Sequence, residues 1–136
     1  MAPQPVTAKA CTQCGEVKDR SEFYQGKRHD EGRTRNSLTA RCKVCAKDYL
    51  RWKSIKTLYG LNKEQYMAML EAQNGTCAIC QKVNSKGAWL AVDHCHTTKK
   101  VRGLLCQKCN IALGQVNDNP AILAGMIAYL ITSSED

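Results

Sequence analysis

Residues 92–110, VDHCHTTKKVRGLLCQKCN, bring residue types suited to three different jobs within nineteen residues. Asp93 stands next to His94, His96 follows two residues on, and the pair Cys106/Cys109 is followed at once by Asn110. Cysteine pairs at that spacing hold structural zinc, with Zn–S distances of about 2.3 Å. Carboxylate and amide oxygens suit a harder cation such as Mg²⁺ or Mn²⁺, and a positioned histidine can take a proton from water. The residues alone leave other readings open. Asp93 could cap a turn, His94 and His96 could be surface residues, or one histidine could stand in for a cysteine at zinc. The last is the weakest, because four cysteines are already present for one site.

Those four belong to a larger set. The chain has nine cysteines, eight of them in C-x-x-C pairs: Cys11/Cys14, Cys42/Cys45, Cys77/Cys80 and Cys106/Cys109. The polar start MAPQPVTAKA offers no hydrophobic signal segment, and no apolar run approaches the length of a membrane span. A reducing compartment is therefore expected, where such pairs read as metal ligands rather than disulfides. Pairing 11/14 with 42/45 and 77/80 with 106/109 closes the shorter loops and gives two structural zinc sites. The composition makes them necessary. Leu, Ile, Val and Phe number only 25 of 136 residues, too few for a self-supporting core beside so many charges. Each zinc can supply roughly 10–16 kcal/mol of apparent binding energy to a small domain. A site closed by four thiolates has no open position, so its work is folding.

The elements around the sites follow from pattern. Residues 1–10 read as a mobile tail and 11–45 as an N-terminal four-cysteine zinc module. Within it, 26–41 (GKRHDEGRTRNSLTAR) shows no clear period and reads as a solvated loop whose Lys27, Arg28, Arg33, Arg35 and Arg41 could touch phosphates. Residues 46–60 form a basic linker helix that stops at Gly60, with Trp52, Ile55 and Tyr59 on one side. Residues 61–136 form the second domain. In it, LNKEQYMAMLEAQNG is a helix capped by Asn62 and ended by Gly75, with Tyr66, Met67, Met69 and Leu70 turned to packing partners. WLAVDH and VRGLLC make a β-hairpin, and a short helix begins around Cys106–Asn110. The last helix, DNPAILAGMIAYLI, is capped by Asp118 or Asn119 with Pro120 in its first turn. Its residues are nearly all apolar or small, so it is either deeply packed or part of a subunit contact. A hairpin running into a helix can bring Asp93 and Asn110 to one cation. His94, as a strand neighbour of Asp93, needs a local twist to face the same way.

Charge adds a partner class. The formal net charge is +8, and it is uneven: residues 1–60 hold 13 Lys/Arg against 6 Asp/Glu, residues 61–136 hold 7 against 6. Such a bias suits an anionic polymer. Arg41, Lys47, Arg51, Lys53 and Lys56 are the candidates for contacts to a DNA backbone.

Residues from about 59 to 130 resemble the phage recombination endonuclease VII family, within the HNH or ββα-metal nuclease group. The resemblance rests on YGLNKEQYMAMLEAQNGTCAIC, VDHCHTTKKVRGLLCQKCNIALGQVNDNP and LAGMIAYL. It implies an α+β fold, with a small zinc-stabilised ββα-metal core, flanking helices and the N-terminal four-cysteine module as an addition. It implies structural zinc at Cys77, Cys80, Cys106 and Cys109, and a catalytic Mg²⁺ or Mn²⁺ on Asp93 and Asn110. His94 would be the general base, His96 a further active-site residue, and Arg102 a phosphate contact. The implied function is metal-dependent hydrolysis of DNA phosphodiester bonds by a monomer or homodimer, in the bacterial cytoplasm if phage-encoded. The alternative is a non-catalytic zinc-stabilised nucleic-acid-binding protein. The usual family pattern is Asp-His-Asp-His, and here Cys95 takes the third position, as an unpaired free thiol.

Overall fold

The computed structural model describes residues 7–84 and 89–133, which divide into two compact units, Met1–Ser54 and Ile55–Asp136. In the first, strand β1 (Ala8–Ala10) pairs antiparallel with β2 (Val17–Asp19), so residues 8–10 depart from the tail expected at 1–10; residues 1–6 lie outside the described residues. After one 3₁₀ turn (Arg20–Glu22), β3 (Phe23–Asp30) and β4 (Arg33–Cys42) form a long antiparallel hairpin. This overturns the solvated loop read at 26–41. The turn residues Glu31 (φ 45) and Gly32 (φ 79) both have positive φ, which lets a two-residue turn match the twist of its strands. From Gly26 to Asn36 no residue is apolar, so there was no alternation to betray the strands. The core of this unit is small: Cys11, Phe23 and Cys42 are buried, with Leu38 and Cys45 packed against them. Helix α1 (Lys43–Tyr59) starts directly after Cys42, three residues earlier than its pattern implied. Trp52, Ile55 and Tyr59 are half-buried, as their spacing required.

In the second unit, α2 (Lys63–Ala72) opens with a capping box. Asn62 Oδ1 accepts from Gln65 N at 2.8 Å, and Asn62 N donates to Gln65 Oε1 at 2.9 Å. Its inward face carries Tyr66, wholly buried, whose hydroxyl donates to Leu90 O at 2.8 Å. Met69 and Leu70 are half-buried, whereas Met67 is exposed and not part of this packing. Strands β5 (Ala91–His94) and β6 (Val101–Leu105) pair antiparallel, and α3 (Gln107–Gln115) packs on both. This is a ββα unit, within the mixed α+β fold expected. The last helix, α4 (Pro120–Thr132), is capped by Asn119, whose Oδ1 accepts from Ala121 N. It is not deeply packed: Ile122, Met126, Ile127, Tyr129, Leu130 and Ile131 are all exposed. The pattern could show that these side chains are apolar, not what covers them.

One side chain ties α2 to the hairpin. Gln73, at the C-terminal end of α2, donates through Nε2 to Thr76 O (2.8 Å) and Leu104 O (2.9 Å), and its Oε1 accepts from Leu104 N (2.9 Å). It acts as a fragment of a third strand along the outer edge of β6. Leu104 is wholly buried, so its amide has no water to turn to. Gln73→Ala should lower unfolding free energy by roughly 1–3 kcal/mol, read by denaturant titration of the zinc-loaded chain. A loss below about 0.5 kcal/mol, the size of an ordinary surface change, would mean that Leu104 is satisfied elsewhere.

Candidate active site and zinc centres

The two sets of four cysteines meet as the loop argument required. Cys11, Cys14, Cys42 and Cys45 form one cluster and Cys77, Cys80, Cys106 and Cys109 the other, with ligand atoms in each lying within 4.8 Å of one another. Four sulfurs at about 2.3 Å around a tetrahedral ion stand roughly 3.8 Å apart; Cys80 Sγ and Cys106 Sγ are 3.9 Å apart. The thiols are also electrostatically prepared. Amide hydrogen bonds from Cys14 and Cys42 hold the Cys11 thiol down to about 6. Burial works against ionisation of Cys77, yet the amides of Cys106, Cys80 and Ile79 bring it to about 6. In the same clusters Cys45 is pushed up to about 12, chiefly by its hydrogen bond with Cys42, and Cys109 to about 12, chiefly by burial. In each cluster one thiol is eased toward the thiolate and another is held back from it, and a dication would favour the thiolate at both.

Both first pairs use the same turn. Cys11 N donates to Glu16 O (2.9 Å) and Gly15 N to Cys11 O (2.9 Å); Cys77 N donates to Lys82 O (3.1 Å) and Gln81 N to Cys77 O (2.9 Å). Gly15 (φ 73) and Gln81 (φ 54) are left-handed. Both second pairs sit where a strand runs into a helix, Cys42 ending β4 before α1 and Cys106 capping α3, where the helix dipole favours thiolates.

The same turn occurs a third time, at Cys95. Cys95 N donates to Lys100 O (2.8 Å), Lys99 N donates to Cys95 O (2.8 Å), and Lys99 has φ 61. Thr98 occupies the place of the second cysteine, and its amide donates to Cys95 Sγ at 3.4 Å. The Thr98 hydroxyl and amide bring the Cys95 thiol down to about 7. Cys95 is therefore the acceptor that organises the β5–β6 turn and lies outside both clusters. An aspartate carboxylate could accept the same amide, which accounts for a cysteine where Asp is usual.

A strand irregularity falls between Asp93 and His94. Asp93 pairs with Gly103 but His94 pairs with Val101, so the register shifts between them and Arg102 is the extra residue. Such a bulge adds twist and re-aims a side chain. Arg102 turns onto Asp93 as a fork: Nε to Oδ2 at 2.6 Å and Nη2 to Oδ1 at 2.8 Å. Asp93 is the one buried charged residue in the described chain, 8 % exposed, and this pairing explains how a carboxylate tolerates that position. The hydrogen bond to Asp93 also raises the Arg102 pKa. The guanidinium expected at a phosphate is thus committed to carboxylates. His94 packs its ring against Tyr59 (centroids 5.2 Å) and edge-on against His96 (5.0 Å). Asn110 lies half-buried in the first turn of α3, its backbone N–H donating to Cys106 O at 3.0 Å.

Pattern reading missed one member. Asp118 Oδ2 lies 3.3 Å from Arg102 Nη2 and 3.2 Å from His96 Nδ1. Asn117 (φ 53) and Asp118 (φ 54) are both left-handed, a conformation that Asn and Asp tolerate better than other non-glycine residues. That double reversal after α3 points Asp118 inward and leaves Asn119 to cap α4. The signal for it in the sequence is the Asn-Asp-Asn run, which by pattern alone reads as a helix start. Of the candidate DNA contacts, Lys47, Arg51, Lys53 and Lys56 are exposed on α1, while Arg41 lies 4.1 Å over the Tyr49 ring.

Comparison with known proteins bears on this arrangement. The model of the recombination endonuclease VII family matches residues 52–132. The chain belongs to that family. The family match covers the ββα unit, both second-unit cysteine pairs and α4, while the first four-cysteine cluster lies outside it. Among curated relatives, Gene 59 protein of Mycobacterium phage L5 is 36 % identical over 129 residues, 90 % of this chain and 72 % of that protein. Gene 59 protein of Mycobacterium phage D29 is 47 % identical over 77 residues, 56 % of this chain and 47 % of that protein, so the chain matches about half its length. Among solved structures, the ββα-Me type II restriction endonuclease Hpy99I is 28 % identical with a TM-score of 0.41, over 93 % of this chain and 66 % of that one. In the described residues no helix is long and apolar enough to cross a membrane.

Proposed function

We propose that this member of the endonuclease VII family is a divalent-cation-dependent DNA endonuclease working at the β5–β6–α3 site. The observation that carries the reading is Asp93 and His94 at a strand bulge, facing a helix whose first turn holds Asn110 and whose start is fixed by a four-cysteine cluster. The donor set fits a small hard cation. An ionised carboxylate has about four acceptor positions, so Asp93 keeps capacity beyond the two bonds from Arg102, and Asn110 adds an amide oxygen. When bound, Mg²⁺ or Mn²⁺ would neutralise charge gathering on the phosphoryl and leaving 3′ oxygens.

The rest is done by the chain. His94 accepts a proton from the water that attacks phosphorus, and ring contacts with Tyr59 and His96 hold it in place. The water oxygen forms its bond to phosphorus as the bond to the 3′ oxygen breaks, leaving a 5′ phosphate and a 3′ oxygen that takes its proton from solvent water. Arg102 holds the Asp93 carboxylate in one orientation, and Asp118 holds Arg102 and His96 together. One such site cuts one strand per visit, so nicking is the activity of a single copy. Phage relatives support a bacterial cytoplasm as the place of action.

Incubation of supercoiled, linear and branched DNA with the zinc-loaded chain and Mg²⁺ or Mn²⁺ tests this. Nicked circles are expected; no product on any substrate would favour a non-catalytic binder. His94→Ala should keep its fold and zinc while losing at least about 10²-fold in rate, the lower end for a positioned base; cutting at the parental rate would remove His94 from that role. Asp118→Asn keeps a residue that tolerates left-handed backbone and removes the charge. It should melt within a few degrees of the parent yet cut about tenfold more slowly, as expected when alignment of a reacting group is lost. An unchanged rate would mean that Arg102 and His96 need no carboxylate there.

A further inference from the structure

The β3–β4 hairpin has a root that folding explains and a distal half that it does not. At the root, Phe23 is buried, Leu38 packs on the cysteine cluster, and Lys9 Nζ donates to Leu38 O (3.0 Å) and Thr39 O (2.8 Å). Beyond Gly26 the ribbon has no apolar residue, and Lys27, Arg28, His29, Arg33, Thr34, Arg35 and Asn36 are all exposed. A two-stranded ribbon by itself is marginal in water, and the pair His29 and Thr34, 3.0 Å apart between Nδ1 and Oγ1, joins its strands. Arg28 stands directly opposite Arg35 across the strands, so two guanidinium groups are carried on one face.

A basic ribbon of this kind suits a polyanion. We propose that the β3–β4 hairpin is a DNA-reading arm that enters the major groove of a duplex, with Arg28 and Arg35 presented on one face and Lys27 and Asn36 on the other. Paired residues of an antiparallel ribbon share a face, and Arg28/Arg35 and Lys27/Asn36 are such pairs. Arginine matches the guanine edge and asparagine the adenine edge. Size selects the groove: the major groove, about 12 Å wide, admits a two-stranded ribbon, whereas the minor groove, about 6 Å wide, does not. The four steps from Gly26 to Asp30 span roughly 13 Å, more than the groove's depth of about 8.5 Å. The zinc-bound root then acts as the fixed mount of the arm. This inference rests on DNA being the substrate, but not on the chain cutting it.

The test uses the full zinc-loaded chain on a short labelled duplex, with Ca²⁺ replacing Mg²⁺ to hold off hydrolysis. Binding is followed by fluorescence anisotropy for the parent and for Arg28→Gln/Arg35→Gln, with zinc content as the check on folding. Guanine N7 protection from dimethyl sulfate reports the major groove. The double variant should bind about tenfold more weakly or worse, within the range for losing arginine–base contacts, and lose protections that the parent shows. Equal affinity with unchanged protection would overturn the arm, as would tight parental binding with no guanine N7 protected. If the variant loses zinc, the parent's footprint decides alone. Weaker binding by the variant when the parent cuts nothing would keep the arm and remove the nuclease reading; cutting by the parent with unaltered binding by the variant would do the reverse.

Discussion

Four thiols drawn to within 4.8 Å of one another join the end of β6 to the start of α3, and Cys77 and Cys80 carry that junction back to the end of α2. The apolar material of the second unit would not achieve this by itself. Its buried set is short, chiefly Tyr66, Leu90, Val92, Leu104, Leu105 and Val116, and its last helix contributes little to it. A zinc ion on these thiols would be worth roughly 10–16 kcal/mol, substituting for missing area and setting direction. Because Cys109 belongs to the cluster, the next residue, Asn110, lies in the first turn of α3 at a fixed place relative to the strand that ends just before Cys106. The shape-giving metal and the cation proposed for chemistry are thus joined through one peptide bond.

Charge within the site is arranged with the same economy. A buried Asp93 is costly unless paired, and the bulge that re-aims Arg102 supplies the pair. Asp118 then meets the same guanidinium and His96. Two carboxylates around one guanidinium leave the trio one negative charge in excess, which suits a dication beside it. Removing Asp93's partner would leave a charge uncompensated, so Arg102 is needed for stability and for alignment alike.

Much of this was legible in the sequence. Cysteine spacing gave both clusters, the capping signals of Asn62 and Pro120 gave α2 and α4, and the motif around Asp93, His94 and Asn110 pointed to the site proposed above. What escaped did so for definite physical reasons. The β3–β4 hairpin buries neither distal face, so no apolar alternation marks it, and only Gly32 hinted at its turn. The bulge at Asp93/His94 is a matter of register, which depends on pairing rather than composition. Asp118 reads as a helix cap until two left-handed residues turn it inward. Cys95 reads as an orphan ligand until its backbone bonds reveal the turn shared with the cysteine pairs.

The central claim is that one chain holds two kinds of metal, sulfur-bound ions for shape and an oxygen-bound ion for chemistry. Mn²⁺ titration of the zinc-loaded chain, followed by electron paramagnetic resonance with zinc counted in parallel, tests it most directly. The account predicts two zinc ions retained per chain and one added Mn²⁺ site that Asn110→Ala weakens without loss of zinc. Mn²⁺ bound equally well by Asn110→Ala, or bound only as zinc leaves, would contradict it.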